Sequence, residues 1–206
     1  MMGRFFNYDN WFFRFLAKLG DLILLNFLII IFSLPIITIG ATITAAHYTA
    51  LKIRRDENYV IKNFWKSFKL NFKQSTVMWL ILLVYVISLG LAMSMLLSGV
   101  DKMGTVMHVL FFVSAVFGLF IILWMFPLQA RFVNTIGGTI RNAFLLSIKH
   151  LWRTLCMVLA VVLPIVLFVL SVQLYGILIL FGFSAPFYLC ALLYNKVFED
   201  LEESTV

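Results

Sequence analysis

The amino-acid sequence predicts an all-α fold, a polytopic bundle of transmembrane helices. About six membrane-inserted segments form three hairpins, joined by two amphipathic cytoplasmic connectors. Composition, segment length and the placement of charge each point to this class. Hydrophobic residues make up 63% of the 206 residues and charged ones 12%, with a mean hydropathy of +1.04, whereas soluble domains carry roughly 25% charged residues. Several apolar runs approach the roughly 20 residues that a helix needs to cross a bilayer. The alternating segments of about ten residues that mark a membrane β-barrel are absent. Spans and short connectors use up nearly the whole chain, so residues 1–206 read as a single domain.

The stretch Ser33–Arg55, SLPIITIGATITAAHYTALKIRR, sets the number of crossings. Pro35 lacks an amide proton and disfavours helix at Leu34, so it is a candidate structural hinge. The reading adopted is a helical hairpin with Pro35 at its tip; one long helix kinked at Pro35 is the alternative. Gly40, Ala41, Thr42, Thr44, Ala45 and Ala46 follow. These small residues let backbones approach closely in a bilayer, which makes them a candidate face for helix packing or for a partner. Lys52, Arg54 and Arg55 close the segment as a cytoplasmic stop.

Before the hinge, Trp11, Phe12 and Phe13 suit headgroup depth. Lys18 and Asp21 are spaced to pair across one helical turn, and Asn26 offers an interhelical hydrogen bond. After it, Asp56–Ser75 repeats Phe64, Phe68 and Phe72 beside Lys62, Lys66, Lys69 and Lys73. That pattern predicts a helix lying in the interface plane, its four lysines on anionic lipid headgroups. Thr76–Leu97 reads as a span, and Ser98–Gly104 as a short connector. Thr105–Phe126 reads as the return, ended by Pro127. Leu128–Arg153 is the second connector, with an amphipathic helix after Gly137 and Gly138. Thr154–Ser171 and about Leu174–Tyr194 form the last hairpin, with Gln173 at its turn and a short, solvated acidic tail.

Charge sets the orientation. With Pro35 as an outside turn, all 16 basic residues except Lys102 fall on one side, which the positive-inside rule makes the cytoplasm. Both termini are then cytoplasmic, in a multi-pass protein of the cell membrane. A five-span model would put Arg4, Arg14 and Lys18 outside. The run LILLNFLIIIFS is short for a crossing, so a re-entrant first hairpin stays open. The first 20 residues lack the small-residue cleavage site of a signal peptide, so the first helix is expected to be retained. A net charge of +7 is accounted for by span ends and lipid contact, not nucleic acid. Cys156 and Cys190 fall inside apolar runs and read as buried free thiols.

The sequence carries no recognisable catalytic pattern. None of the 9 acidic residues lies mid-span, which removes intramembrane aspartyl catalysis. H-E-x-x-H, G-x-S-x-G and the phosphate-binding loop G-x-x-x-x-G-K-[ST] do not occur. His47, His108 and His150 are far apart in sequence, and His47, among small residues, reads as a hydrogen-bonded core histidine. The expectation is a protein that is not an enzyme, with no catalytic, cofactor or metal site. A stand-alone transporter remains the alternative, since Pro35–Gly40, Pro164 and Pro186 are potential helix breaks.

Two pieces of the chain resemble the YesL family of small bacterial integral membrane proteins, catalogued as a domain of unknown function. One is LAKLGDLILLNFLIIIFSLPIITIGATITAAHYTALKIRRDE followed by FWKSFKLNFKQ; the other is NTIGGTIRNAFLLSIKHLWRTL. The resemblance implies a bacterial origin and frequent neighbourhood with binding-protein-dependent carbohydrate ABC uptake genes. It carries no catalytic residues. Together with the residues, it sets the expectation of a non-enzymatic accessory or regulatory membrane protein linked to carbohydrate uptake. The expected partners are anionic lipid headgroups and an ABC permease subunit, or a second copy of the chain; the alternative is a small solute transporter or channel.

Overall fold

At Pro35 the polypeptide turns back on itself. The computed structural model describes residues 11–57, 59–97 and 105–203, and every regular element in them is helical. Helix α1 (Trp11–Ser33) runs up to the turn, a single 3₁₀ turn (Ile36–Thr38) follows, and α2 (Ile39–Arg54) returns. Thr38 Oγ1 donates to the carbonyls of Phe32 (2.6 Å) and Pro35 (2.7 Å), and Thr42 Oγ1 donates to Phe32 (3.0 Å). Carbonyls left over at a helix end are thus satisfied from inside the chain, as an apolar solvent demands. Arg14 and Lys18, near the start of α1, reach Asp56, just past the end of α2, at 2.7 and 2.9 Å. The pair is therefore an antiparallel hairpin, and the single kinked helix is excluded. Asp56 adopts a left-handed φ of 59°, which Asp tolerates better than most residues and which ends α2.

The first connector departs from expectation. Asp56–Ser75 does not lie apart in the interface plane; it is the lower half of α3 (Val60–Leu97), a continuous helix of 38 residues and about 57 Å. Polarity changes near Ser75, but no Gly or Pro interrupts the chain there, so the helix runs on. Its aromatic stripe faces inward: Phe64 and Phe68 are buried, and Phe32 of α1 lies 5.3 and 5.1 Å from their ring centres.

Helix α4 (Thr105–Arg131) carries Pro127 within it, so the predicted stop at Pro127 is overrun by a turn. Helix α5 (Ile136–Lys149) begins where Thr135 Oγ1 accepts from the Gly138 amide at 3.2 Å. It buries Thr139, Ala143, Leu146 and Ser147 and leaves Phe144 and Ile148 outward. Helix α6 (Leu151–Leu170) follows directly. Thr154 accepts from the buried Trp124 indole at 2.9 Å and bonds the Ser147 carbonyl at 3.0 Å, tying α4, α5 and α6 together. A 3₁₀ turn holding Gln173 leads into α7 (Tyr175–Phe181) and α8 (Ser184–Glu203), which meet at a 63° bend. The acidic tail is not loose in solvent: α8 extends to Glu203 and buries Val197 and Phe198. Residues 1–10, residue 58, the connector 98–104 with Lys102, and residues 204–206 lie outside the described part.

Helix α2 is the axis of the bundle, packed on α1, α3, α4 and α8. Among the described residues, five helices are long and apolar enough to cross a membrane, and a sixth crossing results if α7 and α8 form one bent span. Ion pairs show which ends share a pole. Besides Arg14 and Lys18 on Asp56, Lys52 meets Glu57 (2.8 Å), Arg55 meets Glu199 (3.6 Å) and Arg131 meets Glu202 (2.7 Å). The start of α1 and the ends of α2, α4 and α8 therefore gather at one charged pole.

The hairpins differ in height. Gly40, near the Pro35 turn, abuts Ser75 and Trp79 of α3, and α3 continues from Trp79 to Leu97, about 27 Å further along its axis. The first hairpin thus stands beside the lysine-bearing half of α3 and ends midway along it.

Candidate functional site

The predicted site residues fall into three places. Gly40, Ala41, Thr42, Thr44, Ala45 and Ala46 are all buried within the chain. Gly40 sits on the Ser75 carbonyl and the Trp79 Cβ, and Thr44 Oγ1 lies 2.8 Å from Ser75 Oγ. The close approach that small residues permit is used to dock α2 on α3, so this face is not open to a partner protein. Pro35 holds the exposed hairpin turn. Lys62, Lys66, Lys69 and Lys73 are exposed along the outer side of α3. Lys69 covers the Trp65 ring at 4.7 Å. The lysines form a rail along a rod, not a stripe lying flat.

Two sequence expectations around α1 resolve differently. Asn26 is wholly buried at the α7–α8 bend. Its amide donates to the Ile179 carbonyl (2.8 Å), and its Oδ1 accepts from the amides of Phe183 (3.0 Å) and Ser184 (3.1 Å). It thereby supplies partners to backbone freed by the break. Lys18 does not pair with Asp21: it is drawn to Asp56, and Asp21 Oδ2 is buried without a partner.

Where the first hairpin meets α3, α4, α6 and α8, the helices leave a cavity of about 310 Å³. Its wall includes Ile43 and His47 of α2, Trp79 of α3, Phe126 of α4, Pro164 of α6 and Phe187 of α8. The two prolines on this wall, Pro164 and Pro186, lie within the last hairpin. His47 is 7% exposed. Its Nδ1 lies 3.1 Å from the Tyr194 hydroxyl, and its ring meets Phe187 edge-on at 4.7 Å. Tyr194 is 0% exposed and His47 Nδ1 is the acceptor within its reach, so the hydroxyl donates to Nδ1. That assignment places the ring proton on Nε2, a donor with no partner. The Trp79 Nε1–H is buried and unpartnered. The Cys190 thiol also lines the cavity.

A second apolar cavity, of about 320 Å³, lies between α3, α4 and α5. Its tyrosine, Tyr85, already donates to the Ser114 carbonyl at 2.7 Å. At the charged pole a small polar cleft is bounded by Tyr48, Lys52, Arg55, Arg131 and Glu202, and its three cations are held in the ion pairs described above. Among the described residues, no group of three His, Cys, Asp or Glu side chains is placed to hold a metal ion.

The sequence reading marked His47 as a core histidine but missed its partner. Tyr194 lies 147 residues away, and nothing local in either segment announces the pairing. Trp79 sits in an unremarkable apolar run.

These features define a polytopic helical membrane protein. Residues 22–92, from the first hairpin through most of α3, match the family described as "Protein of unknown function, DUF624". This is the type to which the YesL family belongs, so the resemblance holds over that part of the chain. Comparison with curated proteins and with solved structures finds no match.

Proposed function

We propose that the protein is a non-enzymatic accessory or regulatory subunit of the bacterial cell membrane, serving a carbohydrate ABC uptake system, with its charged pole and both termini in the cytoplasm. The observation that carries this reading is the exposed rail of Lys62, Lys66, Lys69 and Lys73 on α3, braced by the first hairpin. A rigid cationic rod beside the bilayer suits anionic headgroups and an acidic surface on a neighbouring permease. The carbohydrate link rests on the YesL resemblance alone. Because Gly40–Ala46 is used inside the fold, docking passes to this outer side of α3.

The test is a gentle-detergent pull-down of the tagged protein from its native membrane, read by mass spectrometry. Stoichiometric ABC permease subunits, lost when the four lysines are replaced by Gln, support the reading. A protein that emerges alone or only with copies of itself overturns it. The 63° bend between α7 and α8 favours a second reading, a small solute transporter with a broken helix. Flux through the purified protein in liposomes decides between them.

A further inference from the structure

We propose that the cavity between α2, α3, α4, α6 and α8 is a binding site for a single acyl chain, whose carbonyl or carboxylate oxygen accepts a hydrogen bond from His47 Nε2–H. The wall is almost wholly apolar, and His47, Trp79 and Cys190 carry its polar atoms. The cavity, about 310 Å³, is at the small end of ligand sites. Its lining is aliphatic and aromatic, so the body of the occupant is hydrocarbon. Sugars and phosphates need several convergent polar groups, which this wall does not supply.

The direction of the histidine narrows the head group. Tyr194 occupies Nδ1 at 3.1 Å, which leaves a donor, not an acceptor, at Nε2 of a residue that is 7% exposed. An N–H without a partner on an apolar wall is costly, and an oxygen with lone pairs relieves that cost. The indole of Trp79, itself an unpartnered donor, forms part of the same wall. A fatty acid supplies such an oxygen as a carboxylate and a bilayer phospholipid as an ester carbonyl; both present it at the end of an acyl chain. Helix α8 contributes Phe187 to the ring's edge and Tyr194 to its nitrogen, so occupancy would brace the bent last hairpin against α2.

The experiment uses the full chain in liposomes with three photoactivatable probes of equal chain length: a 16-carbon fatty acid, the corresponding alkane, and a phosphatidylglycerol carrying the same acyl chain. Sites of attachment are mapped by peptide mass spectrometry. The fatty acid or the phospholipid is expected to label peptides containing Trp79 and Phe187 saturably, with competition by unlabelled palmitate or lipid. The alkane is expected to label them about tenfold less, the order of one hydrogen bond. Whichever oxygen-bearing probe labels there identifies the source of the chain. His47→Leu should bring the oxygen-bearing probe down to the alkane level. If that variant fails to fold, His47→Leu with Tyr194→Phe leaves no hydroxyl stranded, and the acid-to-alkane comparison on the unaltered protein stands without any variant. Equal labelling by acid and alkane overturns the proposal. So does labelling confined to outward residues such as Val169 and Leu170, or labelling that excess palmitate and lipid leave unchanged.

Discussion

The Arg131 guanidinium closes on the Glu202 carboxylate through two parallel bonds, Nε to Oε1 and Nη2 to Oε2, each 2.7 Å. This fork ties the last turn of α4 to the last turn of α8, and it exists only because α4 runs on past Pro127. The arginine side chain is 13% exposed and the glutamate 46%, so the pair is screened on one side only. Glu202→Gln should lower stability by about 1–2 kcal/mol, as expected for a charge-assisted bond with one partner partly in water. Arg131→Lys should recover little of the fork geometry. Thermal unfolding in detergent at fixed salt checks both, and a Glu202→Gln protein as stable as the parent would mean the fork contributes nothing.

Stability near neutral pH should depend on His150. This residue joins α5 to α6, its ring centre 6.1 Å from that of Trp124. Burial, and then the nearby Arg153 and Lys149, lower its pKa from the ordinary 6.5, while Asp200 of α8 pulls the other way. A lowered pKa means that the folded protein binds fewer protons than the unfolded chain just below 6.5. Stability from this group is therefore complete above 6.5 and is lost as the pH falls below it. Asp56 behaves the same way in a lower window. Hydrogen bonds from Lys18 and then Arg14 hold its carboxyl below 3.8, so its contribution is constant above 3.8 and disappears only in stronger acid. Melting temperatures taken from pH 7.5 down to 5 should fall, and His150→Gln should flatten that decline. An identical decline in the variant would assign the effect elsewhere.

Glycines in α2 and α3 separate close packing from open surface. A Cβ on Gly40 would meet the backbone oxygen of Ser75 and lie 2.5 Å from the Trp79 Cβ, whereas one on Gly90 would meet nothing within 4 Å. Gly40→Ala should destabilise the protein by about 1–3 kcal/mol, the usual cost of overpacking. Gly90→Ala should be neutral or stabilise it by up to about 1 kcal/mol through helix propensity alone. Ala41→Leu and Ala45→Leu, both at positions with 0% exposure, belong with Gly40. Their effect should appear as lost stability of the isolated protein, even where no partner is present. Parallel unfolding curves of the variants decide the point.

The residues that announce structure in sequence are those whose chemistry acts locally. Pro35 marks its turn because a missing amide is a local fact, and Thr38 and Thr42 follow at the spacing that repairs it. The small residues from Gly40 to Ala46 identify a packing face, but sequence does not say against what; the answer, α3, is set by where the next helix starts. The division of α3 into an interfacial helix and a span followed polarity, and polarity does not break helices. The α7–α8 bend depends on Asn26, more than 150 residues earlier, and the donor on His47 depends on Tyr194. Both are tertiary facts, without a local signature in either segment.

The height of the first hairpin yields a prediction about the membrane itself. Its turn carries Leu34, Ile36 and Ile37, which are 76%, 63% and 59% exposed, and no charged residue lies between Ser33 and Thr38. A turn reaching headgroups would normally carry polar or aromatic anchors. This one is apolar, has its carbonyls bonded by Thr38 and Thr42, and ends midway along α3. Such a turn belongs in hydrocarbon, where backbone groups must be satisfied internally. In a background with Cys156 and Cys190 replaced by Ala, a cysteine at Ile36 should resist a membrane-impermeant maleimide from either side of the bilayer. A cysteine at Asp101, in the connector between α3 and α4, should react from outside. Labelling of position 36 from outside would instead mean that the hairpin crosses fully, which would require α3 to tilt until its lysine-bearing half shares the hydrocarbon with α1 and α2.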